Sequence, residues 1–150
     1  MNKITQAVEL FKQDYSCAQS ILIAFSPEAG IDNELAFKLS AGLGGGIGRR
    51  QHICGAINAA VIVLGLKFGN YLPNDLEAKE KMTKLIGQFV DECEEKLGGT
   101  QCLELIKIDL NNDELRQYAT NCGFFDRVCN NAVEQTAIIL EKYLNLQKIS

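Results

Sequence analysis

The chain has 150 residues, with 15 Lys and Arg against 19 Asp and Glu, a net charge of −4 with its one histidine neutral. Apolar residues at 47% and charged residues at 23% exclude wholesale disorder, and the length suits one domain burying roughly 68–70% of its unfolded surface. With a pI near 5.0 the chain lacks the basic face that a nucleic-acid or anionic-membrane binder needs, so neither partner is expected.

Helical periodicity runs through nearly every long segment, and no useful length alternates as a strand does. Residues 3–12 set Ile4, Ala7, Val8, Leu10 and Phe11 on one broad face. A second helix begins at Ser16, with Gln19 at capping-box spacing, and carries Ile21, Leu22 and Phe25 towards Pro27 and Gly30. A third starts after Asp32, carries Leu35, Ala36, Leu39 and Leu43, and enters a glycine cluster. The fourth, residues 53–68, is apolar on nearly all sides and should be the central, most buried helix. Gly69, Asn70, Pro73 and Asn74 then mark a turn.

The longest helix is expected over 76–97, stopping at Gly98-Gly99. Thr100 is placed to cap a short segment through Leu103, Leu105 and Ile106, and another short helix falls near 113–119. A last helix runs from Asp126 through Val133, Ala137, Leu140 and Leu144. No repeat, low-complexity tract or linker divides the chain. The expectation is a single all-α domain over residues 1–150, a compact bundle of about seven or eight helices around an apolar central helix.

The N-terminal residues Met1 to Glu9 show no apolar signal core or small-residue cleavage site. The longest apolar run, Ile53 to Leu66, has 14 residues and includes Asn58, too short to span a bilayer. These features point to a cytoplasmic chain with no membrane insertion and with reduced thiols. Exposed helix faces permit a homodimer.

Six cysteines in 150 residues are too few for a disulfide scaffold. They stand at 17, 54, 93, 102, 122 and 129, and no two form Cys-x-x-Cys. Four share a context: Cys17 follows Ser16, Cys54 opens the central helix, Cys102 follows Thr100, and Cys129 follows Asp126 by three. Each is expected in the first turn of a helix, where free N–H groups and the positive dipole end favour a thiolate. Packing as a small apolar residue is the competing explanation. Cys93, among Asp91, Glu92, Glu94 and Glu95, and Cys122, before Gly123, read as packed or surface thiols.

The cluster Gly42-Leu43-Gly44-Gly45-Gly46-Ile47-Gly48-Arg49-Arg50 fits neither G-x-G-x-x-G nor a P-loop, and no strand precedes it. Its glycines instead allow close backbone approach, and its N–H groups can form an anion-stabilising nest beside Arg49 and Arg50. Such a nest suits a group of thiolates or an anionic metal–sulfur centre. His52, the only histidine, reads foremost as a surface or hydrogen-bonded residue, with tuning of Cys54 or ligation as its functional alternative. There is no Gly-x-Ser-x-Gly elbow, which disfavours hydrolase chemistry.

Cys17-Ala18-Gln19, then Gly44-Gly45-Gly46-Ile47-Gly48-Arg49, then Cys54-Gly55-Ala56 leading into Val63-Leu64-Gly65-Leu66, then Cys102 and Cys129, together resemble the C_GCAxxG_C_C family of redox-active proteins. The resemblance covers nearly the whole chain and implies that the family's four cysteines correspond to Cys17, Cys54, Cys102 and Cys129. Cys122 competes for the last position. One departure is Ala59, where the family pattern has glycine, which calls the tightest helix approach there into question. A similar domain in split-Soret cytochromes carries an iron–sulfur centre, so the resemblance implies a [2Fe–2S] cluster held by the four cysteines and used for electron transfer or redox sensing with an unidentified redox partner protein. Gly44, Gly45, Gly46, Arg49 and Gly55 would then surround the cofactor.

Two alternatives remain at this point. In one, no cofactor is bound and Cys54, near Arg49, Arg50 and His52, attacks a substrate disulfide or peroxide while a second cysteine resolves the product. In the other, the four cysteines hold a structural zinc. The redox readings, and zinc held by the same four, require four distant segments to bring their sulfurs into one electropositive pocket.

Overall fold

The computed structural model describes residues 1–147, which fold into helical segments: α1 (Lys3–Lys12), α2 (Cys17–Ala24), α3 (Ser26–Ala29), α4 (Asn33–Ser40), α5 (Gly44–Ile47), α6 (Gly55–Phe68), α7 (Leu76–Leu97), α8 (Cys102–Ile106), α9 (Asp113–Asn121) and α10 (Phe124–Gln147). Eight of these are the helices legible in the sequence. The other two, α3 and α5, are four residues long, too short to carry a period. Among the described residues no helix is long and apolar enough to cross a membrane.

The all-α bundle is built around α6. Ala56, Ile57, Ala59, Ala60, Val63 and Leu64 are each fully buried, and α6 packs against α2, α3, α7 and α10. Alanines on this helix let its neighbours approach closely, and Ala59, the departure from the family's glycine, is accommodated with its methyl fully buried. The long helices α7 and α10 are pinned by polar and aromatic contacts. Phe89 meets Tyr143 edge-on at 5.4 Å between ring centres, while the Tyr143 hydroxyl and Lys142 ammonium both donate to Glu92, at 3.1 and 2.6 Å.

A second, smaller apolar cluster forms around Cys102, Ile106 and Leu110, with Phe124, Phe125, Val128 and Cys129 packed on it. It moves two boundaries away from their sequence positions. Gly123 takes a left-handed φ of 73° and α10 begins at Phe124 rather than Asp126, because the Phe124–Phe125 pair belongs to this cluster. Consequently Cys129 is not in the first turn of its helix but lies one turn further in. The start of α8 also differs: Gln101 precedes its first residue, with its N–H donating to Glu104 at 3.0 Å, and Thr100 uses its carbonyl elsewhere.

Truncating a central α6 side chain should be costly. Leu64→Ala should lower the unfolding free energy by about 2–5 kcal/mol, whereas Leu72→Ala, at a residue 71% exposed, should change it by less than about 0.5 kcal/mol. Urea denaturation followed by far-UV circular dichroism compares the two; equal losses would contradict a core centred on α6.

Candidate functional site

The four cysteines are positioned by short backbone devices. Ser16 closes a complete capping box with Gln19: its hydroxyl accepts from the Gln19 N–H at 3.1 Å, and the Gln19 side chain accepts from the Ser16 N–H at 3.0 Å. This fixes Cys17 as the first residue of α2. Cys54 is the N-cap of α6. Its N–H donates to the Thr100 carbonyl at 2.7 Å, and the Cys102 N–H donates to the His52 carbonyl at 2.6 Å. With the antiparallel bridge between Ile53 and Gln101, these bonds stitch residues 51–54 to 100–103 and set Cys102 at the start of α8.

The stitch begins in the glycine cluster. Gly45, Gly46, Ile47, Gly48 and Arg49 all hold left-handed φ values between 57° and 68°, so the chain makes a left-handed turn before Gln51 and His52 donate back to the Gly45 and Gly46 carbonyls at 3.0 Å. Gln51, buried and also left-handed, clamps the other side: its amide donates to the Ile108 carbonyl at 2.8 Å and accepts from the Leu110 N–H at 3.0 Å.

Cys17, Cys54, Cys102 and Cys129 all line one cavity of about 420 Å³. Gly44, Gly45, Gly46, Arg49 and Gly55 line it too, as do the apolar side chains of Phe11, Leu105, Phe125 and Val128. Arg116 of α9 adds a second cation that no motif in the sequence marks; one of its nitrogens donates to the Leu110 carbonyl at 2.8 Å and another meets Asp113 at 2.9 Å. Arg50 and His52 are exposed and do not line the cavity. His52 contributes its carbonyl to the stitch, not its ring. Cys93 is buried in the main core, and Cys122 is exposed at the end of α9.

Electrostatically the four sulfurs are unequal. Cys17 is drawn down from an ordinary 9.0 to about 7, chiefly because the Cys54 thiol donates a hydrogen bond to its sulfur; the N–H groups of Ala18, Gly45 and Ala56 act in the same direction against the cost of burial. Cys54 is pushed well above its ordinary value, first by giving that hydrogen bond, then by burial and by the Cys17 charge. Burial and the Cys17 charge raise Cys102 to about 11. Cys129 rises to about 12 through burial and the charges of Cys17, Cys102 and Asp126. Of the four, Cys17 alone is drawn below the ordinary thiol value, and the other three are pushed above it. Being near a helix start does not suffice where α8 is a single turn and Cys129 lies beyond the first turn.

Among the described residues no three His, Cys, Asp or Glu side chains gather closely enough to share one metal ion. The sulfurs surround a space rather than a point. Gly55 sets the tightest contact: a Cβ there would stand 2.7 Å from Cys17 Sγ and 3.0 Å from the Leu43 carbonyl.

Iodoacetamide should modify Cys17 with a half-maximal rate near pH 7, the thiolate forming as pH rises through its lowered pKa, while Cys102 and Cys129 should need strongly alkaline solution. Peptide mapping separates these sites from the exposed Cys122. Gly55→Ala should displace the Cys17 sulfur and move that midpoint upward; an unchanged midpoint would show that the close approach does not tune the thiol.

No curated protein and no solved structure matches the chain at a significant level. The family model described as "Putative redox-active protein (C_GCAxxG_C_C)" matches residues 15–143, a span that includes all four cavity cysteines. The chain belongs to the C_GCAxxG_C_C family of redox-active proteins.

Proposed function

We propose that the cavity holds an iron–sulfur cluster, with Cys17, Cys54, Cys102 and Cys129 as its ligands, and that the protein is a one-electron carrier or redox sensor. The observation that carries this reading is the gathering of four sulfurs, from four segments distant in sequence, around one cavity. Four thiolates are the donor set of [2Fe–2S] and [4Fe–4S] centres.

The surrounding residues fit an anionic group. Ala18, Gly45 and Ala56 direct N–H groups at Cys17, and Ala56 and Ile57 do so at Cys54, which offsets the cost of negative charge away from water. Arg49 and Arg116 add positive charge on the cavity lining. Phe11, Leu105, Phe125 and Val128 limit water at the sulfurs. When bound, a [2Fe–2S] centre supplies exchange of one electron at a time. A partner protein would donate or accept that electron, and a reducing compartment such as the cytosol would keep the ligands available.

Anaerobic incubation with ferrous iron, sulfide and dithiothreitol should give coloured protein retaining about two iron and two acid-labile sulfide per chain. Serine at position 17, 54, 102 or 129 should lower iron retention severalfold, while Cys93→Ser and Cys122→Ser should leave it unchanged. Protein that retains neither iron nor sulfide would overturn the proposal, and colourless protein holding one zinc would replace it with the structural-metal reading.

A further inference from the structure

Of the residues lining the cysteine cavity, the only charged ones among the described residues are two arginines, Arg49 and Arg116. The chain as a whole has a net charge of −4. The two arginines come from distant segments and are moored on the same stretch of chain. Asn111 donates its side-chain amide to the Arg49 carbonyl at 3.0 Å, and Arg116 donates to the carbonyl of Leu110, the preceding residue, at 2.8 Å. Side chains meet there too. A Cβ on Gly45 would stand 3.1 Å from Arg49 Cγ and 3.6 Å from a Leu110 methyl, so the arginine stem and the leucine crowd one point over that glycine.

Arg49 and Thr120 are the exposed members of the lining, whereas Cys54, Gly55, Cys102 and Leu110 are buried. Thr120 lies one turn beyond Arg116 on α9 and donates to its carbonyl at 2.9 Å, and the Arg116 side chain is 30% exposed. The arginines therefore stand at the solvent end of the cavity, with Cys54 and Cys102 at its buried end. Arg116 pairs with Asp113, whose side chain is 86% exposed, and such a pair is weakened by water. Arg49 forms no ion pair among the described residues. Its backbone holds a left-handed φ of 63°, a strained conformation for an arginine. Asp113 and Asp126 neighbour the site but stand outside the lining.

From this arrangement we infer that Arg49 and Arg116 form an anion-selective entrance to the cavity, and that the molecule admitted there is a small oxyanion. A guanidinium offers its N–H donors in a planar fork that matches such a group, and it keeps its charge at any working pH. Two cations at an opening whose lining holds no carboxylate concentrate anions there and repel cations. The preference is local and opposes the charge of the whole chain, because charges beyond about 10 Å are screened at about 0.1 M salt. The cavity volume of about 420 Å³ suits a small molecule. The inference concerns the mouth and holds whether or not the sulfurs carry iron.

The test uses reduced, iron-free protein in a Cys122→Ser background, which removes the exposed thiol. Three methanethiosulfonates are the probes: one carries an ethylsulfonate, one an ethyltrimethylammonium and one a neutral hydroxyethyl group. Each transfers its S–R group to a cysteine sulfur and releases methanesulfinate, so charge is the variable between them. Rates at Cys17 and Cys129, the partly exposed cavity thiols, are read by peptide mapping and divided by the rate of the same reagent with 2-mercaptoethanol. The ratio of anionic to cationic rates cancels the thiolate fraction. It should be about tenfold at low salt and fall towards unity at about 1 M salt. Arg49→Gln and Arg116→Gln should each cut it about threefold, and Arg49→Lys should retain it. Lys84→Gln, the same charge change on an exposed part of α7, should leave it unaltered. A ratio at or below unity in the parent protein, which needs no arginine variant to fold, would overturn the inference. So would a ratio indifferent to both arginines, an equal loss in Lys84→Gln, or no labelling even by the neutral probe. Iron retention is measured separately and bears only on the cluster.

Discussion

Five consecutive residues of left-handed backbone, Gly45 to Arg49, govern the geometry of the site. An L-residue in a left-handed helical turn loses roughly 1–2 kcal/mol, a cost that glycine avoids. Glycine occupies three of the five positions, while Ile47 and Arg49 carry the strain. The turn also packs tightly, since a Cβ on Gly46 would fall 2.5 Å from the His52 nitrogen. Hydrogen bonds from Gln51 and His52 back into the turn, and from the Gln51 side chain to the 108–110 loop, hold it in place. This backbone directs residues 51–54 towards 100–103 and aims the Gly45 N–H at Cys17. Three of the four sulfurs therefore depend on one turn.

Charge at those sulfurs is set by which of them receives hydrogen bonds. Burial raises every thiol in the cavity, and only Cys17 collects enough donors to reverse it. Its neighbour Cys54 supplies one of those donors and keeps its own proton for that reason. With one thiolate present, each further deprotonation works against the charge already there, as the raised values of Cys102 and Cys129 show. A cationic centre among the four removes that opposition, because it binds the deprotonated sulfurs directly.

The fold was largely legible because its signals are local. Helical period located the eight longer helices, and the Ser16–Gln19 spacing located the α2 cap. Boundaries failed where tertiary contacts chose them: Phe124 and Phe125 drew the start of α10 before Asp126, and Gln101 took the position expected for Thr100. The glycine cluster could be read as a close backbone approach, but its handedness could not, since no pattern states that Ile47 and Arg49 join the glycines at positive φ. The four cavity cysteines stood out by helix-start context and by family pattern. That Cys17 alone is drawn down was hidden, because its first cause is a side chain 37 positions away in the chain. Arg116 was hidden too: no spacing rule connects a lone arginine on α9 to a cysteine on α2.

The cavity lies at the seam between two apolar units of unequal size. Cys17 and Cys54 belong to the main core around α6, while Cys102 and Cys129 belong to the small cluster with Ile106, Leu110 and Val128. A unit with so few buried side chains supplies little hydrophobic stabilisation of its own. Its hold on the bundle relies on the 51–54 stitch, the Gln51 clamp and the continuity of α10. A group bound by all four sulfurs would connect the two units directly. Metal loading would therefore bear on how firmly residues 102–129 are held, beyond what the stitch, the clamp and the continuity of α10 provide.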